Sequence, residues 1–206
     1  MALSVRRTKK YSAKAYLDLE ETATHKSEFY DGVIYAMAGG SFNHDMISGN
    51  VYAALHEFAR TGSCIAFTSN MKLRIEAHNL YLYPDAMLIC GAPKFEKNRT
   101  DAVLNPLLLV EVLSKSTENY DRGKKFEYYR SLPTFQEYLL IDQERVYVEH
   151  YQRLHIGRWH YGILTDLDET IKLQSISLTI PVRRLYEQVD WLRQESTEEE
   201  PYGKTH

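Results

Sequence analysis

The chain has 206 residues, 44% hydrophobic and 26% charged, enough for one soluble domain with a real core. Its formal net charge of −3 comes from the end of the chain: segment 194–206 holds four acids against one base, which leaves 24 acids and 24 bases elsewhere. Bulk charge therefore does not advertise a nucleic-acid binder, although a local basic patch would suffice. No apolar run approaches the roughly 18–20 residues of a membrane span, and no apolar segment follows the basic start, so a cytoplasmic protein without membrane contact is expected.

Val5 to Lys10 form a basic arm, and residues 1–10 are expected to be mobile and solvated. Ser12 is suited to cap a short helix to about Glu21. Asp31-Gly32 between apolar runs predicts a hairpin. After Gly39-Gly40-Ser41, the spacing of Ile47, Val51, Ala54, Leu55 and Phe58 predicts a helix over about 43–60. Strands are expected at 64–69, 71–76 and 81–90, then a polar loop over 91–105 and a central strand from Leu107 to Ser114. A helix over 121–132 ends before Pro133, with strands at 137–142, 145–151, 158–164 and 170–179. His155 and His160 are expected to flank a turn. Pro181 suits the first turn of a last helix to about Leu192. The acidic tail 194–206 is expected to be disordered, leaving 11–193 as one domain. The mixed order of elements gives an α/β or α+β fold around one mixed sheet.

Cys64 and Cys90 are the two cysteines, both in apolar strand-like runs, and they read as small buried hydrophobes. A disulfide framework or zinc site is not expected from so few.

Two acids lie where apolar residues are expected. Asp85 follows Pro84 inside Tyr-Leu-Tyr-Pro-Asp-Ala-Met-Leu-Ile-Cys (81–90), and Glu111 lies inside Leu-Leu-Leu-Val-Glu-Val-Leu-Ser (107–114). An unpaired buried carboxylate costs several kcal/mol, so the fold must neutralise these acids or use them. A pair of this kind suits a shared metal ion and hydrolytic chemistry. Pro84 cannot donate to a strand ladder, which suits a bend from which Asp85 reaches a cleft.

Tyr-Pro-Asp85, Leu-Val-Glu111-Val-Leu-Ser114, then Asp121, Lys125 and Tyr129, and Glu137 through Asp142 together resemble the Uma2 family of restriction-type endonucleases. That family belongs to the PD-(D/E)XK nuclease superfamily. The likeness runs from about Tyr11 to Leu192 and includes Glu28, Gly32 and His44. It implies a restriction-endonuclease-like mixed central sheet flanked by helices, with Asp85 and Glu111 on adjacent strands as ligands of Mg²⁺, or Mn²⁺ in its place. The carbonyl of Val112 would face the metal and Glu28 would be an outlying acid. The superfamily lysine, two residues after the second acid, is replaced by Leu113, and Lys125 on the next helix is the expected substitute. DNA as substrate and a homodimer follow by the same analogy.

Each site residue also has a plainer reading. Asp85 would cap a turn, Lys125 would be an exposed partner of Asp121, Glu28 an edge-strand charge, and His44 a polar residue at a helix start. Ser114 would only end its strand and Tyr129 would only pack. The leading expectation is a metal-dependent DNA endonuclease with His44 among its site residues. A non-catalytic nucleic-acid-binding or regulatory module on the same fold is the alternative, and a metal-free hydrolase working through two carboxylates ranks below both.

Overall fold

The structure is a computed structural model that describes residues 9–37 and 39–193. The basic arm up to residue 8 and the acidic tail from 194 lie outside the described residues.

Helix α1 (Ala13–Glu20) starts where Ser12 Oγ accepts from Ala15 N at 3.1 Å. Strands β1 (Ser27–Tyr30) and β2 (Val33–Ala36) form the expected hairpin, with Asp31 and Gly32 at φ of 41° and 93°. Helix α2 (Phe42–Ala59) is capped by Ser41, whose Oγ accepts from His44 N, and it buries Ile47, Val51, Ala54 and Leu55. Strands β3 (Cys64–Thr68) and β4 (Lys72–Ile75) follow.

The single strand expected over 81–90 is two: β5 (Leu80–Leu82) and β6 (Ala86–Cys90), which belong to different sheets. Pro84 has no N–H for a ladder, so pairing stops there and the chain crosses from one sheet to the other. A short strand, β7 (Ala102–Val103), interrupts the expected loop. Strand β8 (Leu108–Leu113) is fully buried and central, as its composition predicts.

The helix after β8 begins earlier than expected and is not uniform. It runs as α3 (Glu118–Tyr120), a π turn (Asp121–Lys125) and α4 (Phe126–Tyr129). It then crosses to β9 (Glu137–Asp142), parallel to β8. Strands β10 (Val148–His155) and β11 (Arg158–Leu164) form a hairpin with His155 at its turn. Strands β12 (Thr170–Leu173) and β13 (Leu178–Pro181) make a two-stranded ribbon. The last helix is cut short. Helix α5 spans Val182–Leu185, and Gln188 at φ 64° interrupts the chain before a final turn at 190–193.

Instead of one sheet there are two larger ones. The central sheet has the order β11-β10-β9-β8-β6-β3 and the second β2-β1-β5-β4-β7, each mixing parallel and antiparallel pairs. One face of the central sheet packs on α2, the β12–β13 ribbon and α5 through Val110, Val112, Leu139 and Ile141. The other face, with Leu109, Leu113 and Leu140, packs on Tyr128 and Tyr129 of α4 and on Leu73, Ile75, Leu80 and Leu82 of the second sheet. Helix α1 closes the outer side of that sheet through Tyr16, Phe29 and Tyr81.

The cysteine expectation is overturned. Register places Cys64 directly opposite Cys90 on β3 and β6, and the two form a disulfide that closes a loop of sequence separation 26. Two cysteines are enough when strand register makes them neighbours.

Glu137, fully buried at the start of β9, pins the ribbon to the central sheet. It accepts from Gln174 N at 2.9 Å and Ser175 N at 3.2 Å, from the Ser175 hydroxyl, and it lies 3.1 Å from His150 Nε2. Burial pushes its carboxyl up, but the hydrogen bonds from His150 and Ser175 outweigh burial and hold it below its ordinary value. The unfolded chain therefore binds this proton more readily than the folded one. The stabilisation is present above the ordinary carboxylate range and is lost as pH falls through the lowered value.

Two outcomes follow from these features. Glu137→Gln lowers the unfolding free energy by roughly 2 kcal/mol near neutral pH in urea melts, and the deficit shrinks at about pH 3; an equal deficit at both would show that the charge is irrelevant. Reducing Cys64–Cys90 lowers stability by about 3 kcal/mol, from the loop length alone, read by the same melts with and without dithiothreitol.

Candidate functional site

The segment Tyr83-Pro84-Asp85 crosses between the sheets at the floor of a cleft of about 520 Å³. Four acids line the cleft, each from a different element. Glu28 comes from β1, Asp85 from the crossing, Glu111 from β8 and Asp121 from the π turn. Lys125 and His44 are the basic side chains among the described lining residues.

Glu111 sits on the same face of β8 as Leu109 and Leu113, beneath the helical run. Lys125 reaches it from that helix, with Nζ 3.1 Å from Glu111 Oε1, 3.0 Å from Asp121 Oδ1 and 3.6 Å from Glu28 Oε1. The lysine is the expected i, i+4 partner of Asp121, but it is 7% exposed, not a surface residue. Tyr129, one further turn along, donates to Glu111 Oε1 at 2.5 Å. Asp121, Lys125 and Tyr129 thus follow one helix face at spacings of four, and Tyr129 does more than pack. Asp121 Oδ1 has no hydrogen-bond partner beyond its ion pair with Lys125.

Asp85 does not cap a local turn. Its Oδ2 accepts from Val112 N at 2.7 Å on the neighbouring strand and lies 3.3 Å from His44 Nε2. His44 stands in the first turn of α2, and a Cβ on Gly40 would sit 3.0 Å from His44 Nδ1, a tight contact that would press on the ring. Ser41 caps α2 and donates to Gln143 Oε1 at 2.6 Å, tying the start of α2 to the end of β9. Ser114 ends β8 and bonds Ser116 and Thr117 at 3.0 Å on the cleft rim.

The electrostatics follow from burial. Desolvation raises the Glu111 carboxyl well above its ordinary value, with Lys125 opposing and Asp121 and Asp85 reinforcing. Glu28 is also raised by burial, against the pull of Lys125. Burial would lower Lys125, but Glu111, Glu28, Asp121 and Asp85 outweigh it and hold the ammonium charged. Burial lowers His44 too, and its contact with Asp85 reverses the sign, leaving it above its ordinary value. One ammonium cannot balance four carboxylates in a low dielectric, so the cluster has the charge of a cation site. Among the described residues, no group of three or more His, Cys, Asp or Glu side chains forms a ready cage for an ion. Asp85 and Glu111 both line the cleft, and Val112, next to Glu111, donates its N–H to Asp85 Oδ2.

All the residues singled out from the sequence therefore meet in one place: Glu28, His44, Asp85, Glu111, Val112 and Lys125. Reading the sequence missed Asp121 and Tyr129 as parts of the site, although their four-residue spacing from Lys125 was the available signal. Tyr35, Gln143 and Ser41 also line the cleft, and no local pattern marks them.

Comparison with known proteins gives the family and the fold. Residues 13–183 match the family model described as "Uma2: Putative restriction endonuclease". Among curated relatives, the uncharacterized protein sll1609 of Synechocystis is 44% identical over 160 residues, 78% of this chain and 89% of that one. The uncharacterized protein slr1290 of the same organism is 37% identical over 177 residues, 86% of this chain and 92% of that one. A crystal structure described as "a putative nuclease belonging to DUF820" from Anabaena variabilis superposes with a TM-score of 0.69 at 16% identity, over 85% of this chain and 97% of that one. At that identity the likeness speaks for the fold. On the match of most of its length, the chain belongs to the Uma2 family.

Proposed function

We propose that the chain is a metal-dependent endonuclease that hydrolyses phosphodiester bonds in DNA. The observation that carries the reading is the convergence of Glu28, Glu111 and Asp121 on the ammonium of Lys125, with Asp85 lining the same cleft at the junction of two sheets.

The donor set suits Mg²⁺, with Mn²⁺ as a substitute. Mg²⁺ keeps several waters and takes one or two carboxylates, so it needs no closed protein cage. Asp85 and Glu111 would hold it, helped by the Val112 carbonyl. Bound there, the ion supplies charge against the phosphate and makes a coordinated water easier to ionise.

The remaining chemistry belongs to the chain. Lys125, held charged by its carboxylate neighbours, orients the attacking water and offsets negative charge as the phosphorus becomes five-coordinate. It does so from the helix, where the superfamily would place a lysine at Leu113. Glu28 and Asp121 fix the ammonium, and Tyr129 fixes the orientation of Glu111. His44 holds Asp85 Oδ2 from the first turn of α2 and lines the cleft. A homodimer would carry two such sites.

In calorimetry, Mn²⁺ binds the full chain, and Glu111→Ala weakens it by at least the roughly 10- to 100-fold that loss of even an outer partner costs. The same variant abolishes Mg²⁺- or Mn²⁺-dependent nicking of plasmid DNA. No cleavage of supercoiled, linear or single-stranded DNA by the unaltered chain with either ion would favour the non-catalytic module. Lys125→Met, studied in EDTA, loses about 3–5 kcal/mol of stability because buried carboxylates are left unpaired. Lys125→Arg recovers most of that stability in the same urea melts, and neither variant cleaves at the original rate.

A further inference from the structure

Tyr35 is an aromatic side chain that neither the core nor the proposed chemistry uses. On the β1–β2 hairpin it lies directly opposite Glu28, so the two side chains share one face of the second sheet. Glu28 points to Lys125, and Tyr35 accordingly lines the same cleft. It is 51% exposed, and among the described residues its side chain has no hydrogen bond, ion pair or ring contact.

The other two tyrosines of the cleft are engaged. Tyr83 donates to Glu20 Oε2 at 2.7 Å and has Lys26 and Lys72 over its ring at 5.6 and 5.4 Å. Tyr120 has Lys125 Nζ over its ring at 5.7 Å. Tyr35 is the ring left free. Ala36, Met37, Gly39 and Gly40 follow it along the cleft lining, and nothing lies within 4 Å of where a Gly39 Cβ would be.

Charge points the same way. The described lining residues include four acids against Lys125 and His44, so the cleft offers any phosphate backbone little basic surface, and another contact must supply affinity. Stacking of a base on an aromatic ring needs no positive potential and accepts any base.

We propose that Tyr35 is a stacking platform for an unpaired base next to the reacting phosphate, so that the preferred substrate is single-stranded or locally unpaired DNA. The proposal rests on reading the cleft as a nuclease site, and it deepens that reading by naming the form of the substrate. A strand entering past Tyr35 keeps one base against the ring while its phosphate passes Glu28 toward Lys125.

The test uses the full chain in Ca²⁺ and a fluorescein-labelled oligodeoxythymidine of about 12 nucleotides, alone and as a duplex with its complement. By fluorescence anisotropy the single strand binds more tightly than the duplex. Tyr35→Ala weakens single-strand binding by about 5- to 100-fold, whereas Tyr35→Phe and Tyr35→Trp retain it. A 2-aminopurine placed in the strand is quenched by the unaltered chain and not by Tyr35→Ala. Equal binding by Tyr35→Ala, or preference for the duplex, would overturn the proposal. Binding that depends on Tyr35 in a chain that never cuts DNA supports the stacking site and overturns the nuclease reading alone.

Discussion

The ammonium of Lys125 holds together a cluster that would otherwise repel itself. Each ion taken from water into a protein loses several kcal/mol of solvation even after relaxation. Glu111, Asp121 and Lys125 are all less than one-tenth exposed, and Glu28 and Asp85 are only slightly more open. A single cation can offset one of these acids fully and the others in part. Burial leaves Glu28 and Glu111 with a raised affinity for protons, against the pull of Lys125. The site is therefore built at a cost to stability, as a stored demand for positive charge.

The acids of the cluster come from separate layers. The second sheet supplies Glu28, the central sheet supplies Glu111, and the helical run laid over both supplies Asp121 and Lys125. Asp85 comes from the short crossing between β5 of the second sheet and β6 of the central one. Pro84 ends the ladder of one sheet so that the next can begin. Widening of the helix at Asp121–Lys125 is a π turn, a distortion often found at functional positions. It occurs over the residues whose side chains must meet the strand acids.

Apolar runs, turn residues and caps carried most of the local structure in legible form. Ser12 and Asp31-Gly32 marked a helix start and a hairpin correctly, and the run around Glu111 marked the central strand. The carboxylates inside apolar surroundings were legible as a site because burial makes a charge conspicuous. The reading stumbled where long-range geometry decides. An apolar stretch with one proline reads as a single strand, although its halves serve two sheets. Two cysteines in apolar strands look like packing residues until strand register sets them opposite one another. Gln188 turns the chain by a left-handed residue that carries no glycine signal.

What belongs to the amino-acid order alone is local: the elements with periodic apolar faces, the family likeness, and the list of acids and the lysine that a site would require. Which of these meet depended on tertiary structure. The distances from Lys125 to three carboxylates, the reach of Tyr129 to Glu111 and the placing of Tyr35 beside Glu28 come from sheet register and helix docking. Local spacing says which side chains share a face. Only the packing of separate layers against one another can say which faces confront each other, because that choice is made by the whole core at once.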